Sequence, residues 1–229
     1  VLSARNLQWR DVPLRRQLAE RYALPIAIDN EANAGALGEQ IFGAGRGIAN
    51  LIYVSAGIGI GTGLILHKQL YKGTSGFSGE MGHLSVEAFG KPCTCGNRGC
   101  WELYASERAL LAKSADMGYA DLESLLAAAE SGHLEVVALL EEVGEYLGIG
   151  ISNVVNVFNP DAVVIGNRMS LARRWIEPAL KRTVVQRSLG FHLRNVQLMF
   201  AELGERSAMM GAAQLAIAGF FDRLKAGQP

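Results

Sequence analysis

The amino-acid sequence predicts an α/β fold with a mixed sheet, and two observations lead to this prediction. Short runs of apolar and β-branched residues, bounded by glycine, proline, aspartate or asparagine, alternate with longer segments whose apolar residues lie three and four positions apart. The short runs are typical of strands and the longer segments of amphipathic helices. Joining the strands in this order requires both hairpins and helical crossovers, so the sheet must contain antiparallel and parallel pairs.

The predicted strands share β-branched residues and turn-forming residues at both edges. They cover residues 24–28, 50–55, 63–67, 162–165 and 196–201. The predicted helices share a helical apolar repeat and cover residues 14–22, 32–42, 105–114, 134–158, 171–186 and 206–221. Residues 73–99 show no clear periodicity, and loops of that length in compact domains are usually functional. We therefore look for chemistry in this loop.

Composition excludes several classes of protein. The 229 residues are 49% hydrophobic and 19% charged, which excludes a disordered or fibrous chain. Lys and Arg total 22 and Asp and Glu total 22, a balance that disfavours nucleic-acid binding by this chain alone. Apolar stretches are interrupted well before the roughly 20 residues that a membrane span needs. The start at Val1, without Met or a signal sequence, suggests an internal fragment of a cytosolic protein.

One histidine and the three cysteines of the chain form a candidate metal site. His83, Cys93, Cys95 and Cys100 fit a tetrahedral zinc site. Four protein ligands would leave no open position for water, so the predicted zinc is structural rather than catalytic. The alternative is that the cysteines are small buried hydrophobic residues and His83 is unrelated to them. A redox pair is less consistent with the spacing, because no C-x-x-C motif is present.

Two carboxylates flank the proposed metal ligands. Glu80 precedes His83 by three residues, and Glu102 follows Cys100 by two. Rigidly held carboxylates suit hydrogen bonding to neighbouring hydroxyl groups, which is the chemistry of sugar recognition. If one ring nitrogen of His83 binds the metal, the other can donate to a ligand oxygen. The alternative is that both are ordinary loop carboxylates, with Glu102 serving as a charge at the start of the next helix.

A second polar cluster, Asp29-Asn30-Glu31-Ala32-Asn33, lies between a predicted strand and a predicted helix. The carboxyl ends of strands in α/β sheets form the crevice where ligands usually bind. Asp29 or Asn30 could instead serve only as the helix cap. Capping requires one such residue, whereas this segment supplies four polar side chains.

Glycines alternate with other residues at Gly57, Gly59, Gly61 and Gly63. The spacing differs from a dinucleotide-binding fingerprint, and a strand rather than a helix follows. These glycines could let the backbone approach a phosphate, or they could build a tight hairpin. The residues alone leave both alternatives open.

Four motifs, taken in order, resemble those of the ROK family of repressors, open reading frames and sugar kinases. They are DNEANAGALGE at 29–39, GIGIGTG at 57–63, GEMGH at 79–83 and CTCGNRGCWE at 93–102. The resemblance implies an actin-like, ribonuclease H-like fold of two α/β lobes with a sugar between them. It also implies sugar contacts and zinc ligands by position. The implied sugar contacts are Asn30, Glu31, Glu80, His83 and Glu102, and the implied zinc ligands are His83, Cys93, Cys95 and Cys100.

The same resemblance implies a division of the chain. Residues 1–28 correspond to a remnant of the N-terminal lobe, and residues 29–203 to the C-terminal lobe with its zinc loop at 79–102. Residues 204–229 correspond to a closing helix that packs toward the N-terminal lobe. The rest of the N-terminal part of the fold is expected upstream of Val1.

Three positions depart from the kinase pattern of the family. Glu31 stands where kinases place a catalytic aspartate, and Ile58 stands where they place a phosphate-binding threonine. The extra methylene of Glu31 moves its carboxylate by about 1 Å, a displacement that can cost about 100-fold in rate. Asn167-Arg168 follows Gly166 where the adenosine-side turn has a glycine pair. The glycines at 57, 59, 61 and 63 are therefore interpreted as a vestigial phosphate loop, and no catalytic residue is assigned.

With these departures the chain resembles the xylose-type regulators of the family. The resemblance implies a sugar-binding effector and dimerisation domain of a cytoplasmic repressor of carbohydrate genes. Such a repressor forms a homodimer or higher homo-oligomer, does not enter a membrane, and meets DNA through a winged helix-turn-helix upstream. The alternative is a sugar kinase that needs ATP and magnesium and uses Glu31 as its base. A third possibility is a zinc-stabilised module that only oligomerises.

Overall fold

A computed structural model of the chain describes residues 3–4 and 8–225 and contains a mixed five-stranded sheet. The sheet order is β5-β4-β3-β6-β7, with antiparallel pairing from β3 through β5 and parallel pairing from β3 through β7. Its strands are β3 Leu51–Ala56, β4 Ile60–Leu66, β5 Gln69–Tyr71, β6 Ala162–Gly166 and β7 Gln197–Phe200. A separate antiparallel pair consists of β1 Ser3–Ala4 and β2 Trp9–Arg10. The predicted α/β fold with a mixed sheet is confirmed.

The helices flank this sheet. They are α1 Leu14–Tyr22, α2 Glu31–Phe42, α3 Glu102–Ala105, α4 Glu107–Lys113, α5 Leu122–Glu130, α6 Leu134–Phe158, α7 Arg173–Arg187 and α8 Ser207–Lys225. The predicted helix at 105–114 is split, because the Ser106 hydroxyl accepts from the Ala109 N–H and caps a new helix. The sequence did not predict helix α5. Its N-terminus is stabilised by a capping box formed by Asp121 and Ser124.

The strand predicted at residues 24–28 is wrong. This segment follows α1 and pairs with no described strand. The Ile26 carbonyl accepts a hydrogen bond of 2.9 Å from Nε of Arg15, and Leu24 and Ile28 are 63% and 42% exposed. Its apolar residues satisfy strand propensity, but a strand also needs a neighbouring ladder and a face to bury.

Alternate residues of β3 pack on opposite faces of the sheet, as the two-residue period of a strand requires. Leu51 and Tyr53 pack in a cluster with Ala36 of α2, whereas Ile52 and Val54 pack in the larger core that includes α6 and α7. Helix α8 lies against α2 so closely that a Cβ at Gly211 would meet the Ala34 carbonyl oxygen at 1.7 Å. Helices therefore cover both faces and hold the strand ends in place.

Long apolar helices of the kind that cross a bilayer do not occur in the described part of the chain.

Candidate ligand cavity and metal centre

A cavity of about 980 Å³ opens where β3 and β6 end. The carboxyl ends of parallel strands meet at this edge of the sheet, which is the usual ligand crevice of α/β folds. The structure brings all five residues with implied sugar contacts into its lining. They are Asn30, Glu31, Glu80, His83 and Glu102. These residues come from three separate segments of the sequence, so the cavity exists only in the folded chain.

The Glu31 carboxylate lies at the start of α2 and is held by two side chains from strand ends. The Ser55 hydroxyl donates to its two oxygens at 3.1 and 3.3 Å, and the amide of Asn167 donates to Oε1 at 3.2 Å. The Asn167 amide also donates to the Ser55 oxygen at 3.0 Å. Ser55 is buried, and Asn167 adopts a positive φ of 67°, a conformation that asparagine tolerates better than most residues. Glu31 is therefore fixed in orientation while it remains exposed to the cavity.

Asn30 and Asp29, which precede Glu31, have different hydrogen-bond partners. Asn30 caps α2 by accepting from the Ala32 N–H at 2.8 Å, and it also lines the cavity, so its contact with a sugar stays a prediction. Asp29 instead pairs with Lys72 at 2.5 Å and accepts from the Asn33 amide at 2.9 Å. Burial alone would raise the pKa of Asp29, but these partners and the Asn30 N–H together hold it below its usual value. Capping uses Asn30 and leaves Glu31 available to a ligand.

The four predicted metal ligands converge. The ligating atoms of His83, Cys93, Cys95 and Cys100 all lie within 4.8 Å of one another. Cys95 Sγ lies 3.6 Å from Cys100 Sγ, and Cys93 Sγ lies 3.7 Å from His83 Nδ1. These four side chains could hold one metal ion, and the disulfide alternative has no support because all three cysteines are free.

His83 connects this cluster to the cavity. Its Nδ1 faces Cys93 and also lies 3.4 Å from Oε1 of Glu102. One nitrogen cannot give its lone pair to a metal and also donate a proton to a carboxylate, so in a metal-bound state Nδ1 serves the metal. The proton then resides on Nε2, at the opposite edge of the ring.

Trp101 anchors the loop at residues 79–102, which carries the candidate metal ligands, to the core. It is fully buried, and its indole N–H donates to the Tyr146 carbonyl of α6 at 2.8 Å. Gly150 of α6 makes room for the ring, since a Cβ there would lie 2.0 Å from the indole. Because Trp101 stands between Cys100 and Glu102, the same anchor positions a candidate metal ligand and a cavity carboxylate.

The alternating glycines form the turn and start of the β3–β4 hairpin. At two of these positions a cavity side chain lies too close for a residue that has a Cβ atom. A Cβ at Gly57 would meet the Asn167 amide at 2.9 Å, and one at Gly59 would meet Oε2 of Glu102 at 2.8 Å. The small residues thus let cavity side chains press against the turn. A phosphate-binding origin for this turn stays a prediction.

The sequence interpretation missed several cavity residues. Ser55, Phe77, Thr94 and Arg108 were not singled out, and Asn167 and Arg168 were treated only as departures from a kinase turn. Ser55 carried a usable signal, because it is the lone polar side chain that ends the otherwise apolar run at 51–54. Arg108 carried no comparable signal, since charged residues are common on helices.

A profile of the ROK family matches residues 1–218. The chain belongs to the ROK family. The xylose repressor of Bacillus subtilis is 41% identical over 96% of this chain, and the match covers 57% of the repressor. The glucokinase of Streptomyces coelicolor is 32% identical over 94% of this chain and 74% of the kinase. The chain thus spans a little over half the length of the xylose repressors that it matches.

Solved ROK structures share the fold. A ROK transcriptional regulator, a homologue of the Escherichia coli MLC protein, has a TM-score of 0.85 and 28% identity, covering 95% of this chain and 58% of that chain. A Streptomyces griseus ROK glucokinase, solved with glucose and AMPPNP, has a TM-score of 0.88 and 31% identity, covering 95% of this chain and 76% of that chain. The predicted actin-like fold is confirmed by these two neighbours.

Proposed function

We propose that this chain is the sugar-binding and dimerisation part of a ROK transcriptional regulator, a repressor of carbohydrate genes. The observation that carries the proposal is the convergence of five hydrogen-bonding side chains on one cavity beside a metal cluster. The xylose repressors among the relatives support a regulator, and their name supports a sugar such as a pentose as the effector. Residues 1–28 and the segment 204–229, which contains α8, would face an N-terminal lobe that closes over the sugar.

The chemistry of the cavity suits a ring of hydroxyl groups. The carboxylates of Glu31, Glu80 and Glu102 accept hydrogen bonds from hydroxyls, and a carboxylate can accept from two neighbouring hydroxyls at once. Hydrogen bonds to charged groups are stronger than neutral ones, so three carboxylates provide both affinity and selectivity. Nε2 of His83 would donate to one sugar oxygen, and Asn30 adds an amide beside Glu31.

We infer that the metal is a structural zinc. Tetrahedral zinc with Zn–S bonds of about 2.3 Å requires sulfur atoms about 3.8 Å apart, close to the 3.6 Å between Cys95 and Cys100. Burial and the neighbouring thiols raise the pKa of Cys100 to about 12, so the thiol keeps its proton unless a metal displaces it. Zinc would fix His83 and, through the Cys100-Trp101-Glu102 segment, one sugar carboxylate.

Regulation would follow from a difference in sugar affinity between two arrangements of the protein. A sugar can shift an equilibrium only if it binds one state better than the other. In a cytoplasmic homodimer or higher homo-oligomer, such a shift changes how upstream helix-turn-helix heads fit their two half-sites on DNA. The balanced charge of this chain agrees with DNA contacts made elsewhere.

The relatives also support a second candidate, an ATP- and magnesium-dependent sugar kinase with Glu31 as its base. A coupled assay of the full-length protein with ATP, magnesium and a panel of hexoses and pentoses tests it. Turnover above the rate of a Glu31→Gln variant would favour the kinase. Absence of turnover with a sugar that binds would favour the regulator.

The Glu102→Gln variant is expected to bind sugar about 10- to 100-fold more weakly, because a charged acceptor to a hydroxyl is worth about 1.5–3 kcal/mol. Isothermal titration of the zinc-loaded full-length protein with xylose, glucose and N-acetylglucosamine measures this loss. Glu145→Gln, a surface change on α6, is the matched control. If none of these sugars binds the zinc-loaded full-length protein, the sensor proposal fails.

The Ser55→Ala variant is expected to lower the sugar affinity several-fold with a stability loss of about 1 kcal/mol, because the Glu31 carboxylate loses one of its two orienting partners. Titration calorimetry and thermal melts measure the two effects separately. Ser131→Ala, which removes a hydroxyl at the end of α5, is the control. Equal sugar affinities for the two alanine variants would show that Ser55 does not position Glu31.

A further inference from the structure

We propose that Phe77 is a further ligand-contacting residue of the cavity, and that its phenyl ring packs against the C–H face of a cyclic sugar. The inference rests on the proposed function, because it names the group that binds the part of the sugar that carboxylates do not recognise. Among the described residues that line the cavity, Phe77 supplies the only phenyl ring.

A cyclic sugar presents two kinds of surface to its binding site. Its hydroxyl groups project around the edge of the ring, where carboxylates such as those of Glu31, Glu80 and Glu102 can accept from them. Its C–H groups point toward the two faces of the ring and are apolar. Small-molecule sites combine a few placed polar groups with apolar and aromatic side chains. The carboxylates therefore account for the edge of a sugar, and an apolar group is needed for its face.

Phe77 has apolar surface available for such a contact. It lines the cavity, is 56% exposed, and belongs to neither hydrophobic cluster of the described chain. A ring that packs in no cluster adds little to the stability of the fold. Covering its exposed surface with the apolar face of a ligand removes that surface from water, which favours binding.

The two residues that follow Phe77 hold its backbone in place. The Ser78 hydroxyl donates at 2.6 Å to the last carbonyl of β5. The Gly79 carbonyl accepts from the N–H and the hydroxyl of Thr62 at 3.2 and 2.7 Å. Gly79 has a φ of 90° and lies so close to β4 that a Cβ there would meet the Thr62 carbonyl oxygen at 2.3 Å. These contacts fix the position from which the Phe77 ring reaches the cavity.

The same anchored segment supplies polar contacts to the cavity. Glu80 follows Phe77 by three residues and His83 by six, and all three side chains line the cavity. Because Gly79 is fixed against β4 between Phe77 and Glu80, the apolar ring and the carboxylate keep a set relation to each other. One segment can therefore contact both the face and the edge of a single sugar.

Isothermal titration of the zinc-loaded full-length protein with xylose and glucose tests the contact. Phe77→Ala is expected to weaken binding about 10-fold, with the thermal melt unchanged because the ring packs in no cluster. Phe89→Ala is the matched control, since this ring is 97% exposed and lies outside the cavity lining. Unchanged affinity of the Phe77→Ala protein overturns the inference and leaves the sensor proposal standing. Absence of sugar binding by the unaltered protein removes both.

A fluorescent reporter separates direct contact from an indirect effect on the segment. In the full-length Phe77→Trp protein a bound sugar should cover the new indole, so its emission should move to shorter wavelength as sugar is added. The full-length Phe89→Trp protein carries the same number of tryptophans and should not respond. Emission of the Phe77→Trp protein that stays constant while calorimetry shows sugar binding overturns the contact. If that emission is already at short wavelength without sugar, the ring instead packs against the N-terminal lobe.

Discussion

Replacing Cys100 by serine is expected to prevent binding of the proposed zinc and to abolish measurable sugar binding. Cys100 is fully buried, and serine cannot supply the thiolate that completes the four-ligand set. Apparent binding free energies for structural zinc are about 10–16 kcal/mol in small zinc domains, so loss of the ion should release the whole loop. Glu102 and His83 would then lose their fixed positions. Metal analysis, thermal melting and sugar titration of the purified variant measure the three effects.

Two controls separate loss of zinc from general damage. Phe89→Ala alters the same loop at a side chain that is 97% exposed and should keep both zinc and sugar affinity. Chelation of the unaltered chain should reproduce the Cys100→Ser behaviour, and added zinc should reverse it. A Cys100→Ser protein with full zinc content and unchanged sugar affinity would contradict the assignment of the cluster.

Replacing Glu39 by alanine is expected to lower the free energy of unfolding by about 2–4 kcal/mol, since a buried donor left without a partner costs about 1–3 kcal/mol and several of the donors to Glu39 are only partly buried. The Glu39 carboxylate is fully buried in α2. It accepts from the N–H groups of Ala44, Glu202 and Leu203 at 2.9, 3.2 and 3.0 Å, and from the Ser207 hydroxyl at 2.7 Å. One side chain therefore ties the end of α2 to the segment that leads into α8.

Urea unfolding of the Glu39→Ala variant measures this loss of stability. Glu202→Ala is the matched control, because its carboxylate pairs with Arg46 at 3.3 Å on the surface and such pairs contribute about 0–1 kcal/mol. Zinc content should stay unchanged, since the loop lies on other elements. A stability loss for Glu39→Ala no larger than that of the control would show that its hydrogen bonds add little.

Local features of this chain were predictable from the sequence, and long-range ones were not. The helix at 134–158 was placed at its observed bounds because its apolar repeat and its asparagine stop lie in one segment. The metal cluster was predicted because its four ligands fall within a short stretch. The contact between Glu31 and Asn167 joins residues 136 positions apart, and no local pattern reports it.

The same distinction explains the false strand and the unrecognised role of Glu39. Residues 24–28 have strand-like composition, but strand formation depends on a partner that composition does not reveal. Glu39 sits in an alanine-rich helix where a glutamate ordinarily faces solvent, and its partners at 202, 203 and 207 are more than 160 positions away. A carboxylate can be buried only where hydrogen-bond donors surround it, and the distant donors around Glu39 are known only once the fold is known.

The succession of Cys100, Trp101 and Glu102 limits how this loop can change in length during evolution. A candidate metal ligand, an anchor buried against Gly150 and a cavity carboxylate are consecutive residues, and α3 begins at the third of them. Inserting one residue after Trp101 would turn the next side chain by about 100° around the helix axis and carry the carboxylate out of the cavity. Substitutions can accumulate at exposed positions such as Phe89, where the chain meets solvent, but insertions and deletions between 100 and 102 should be rejected by selection.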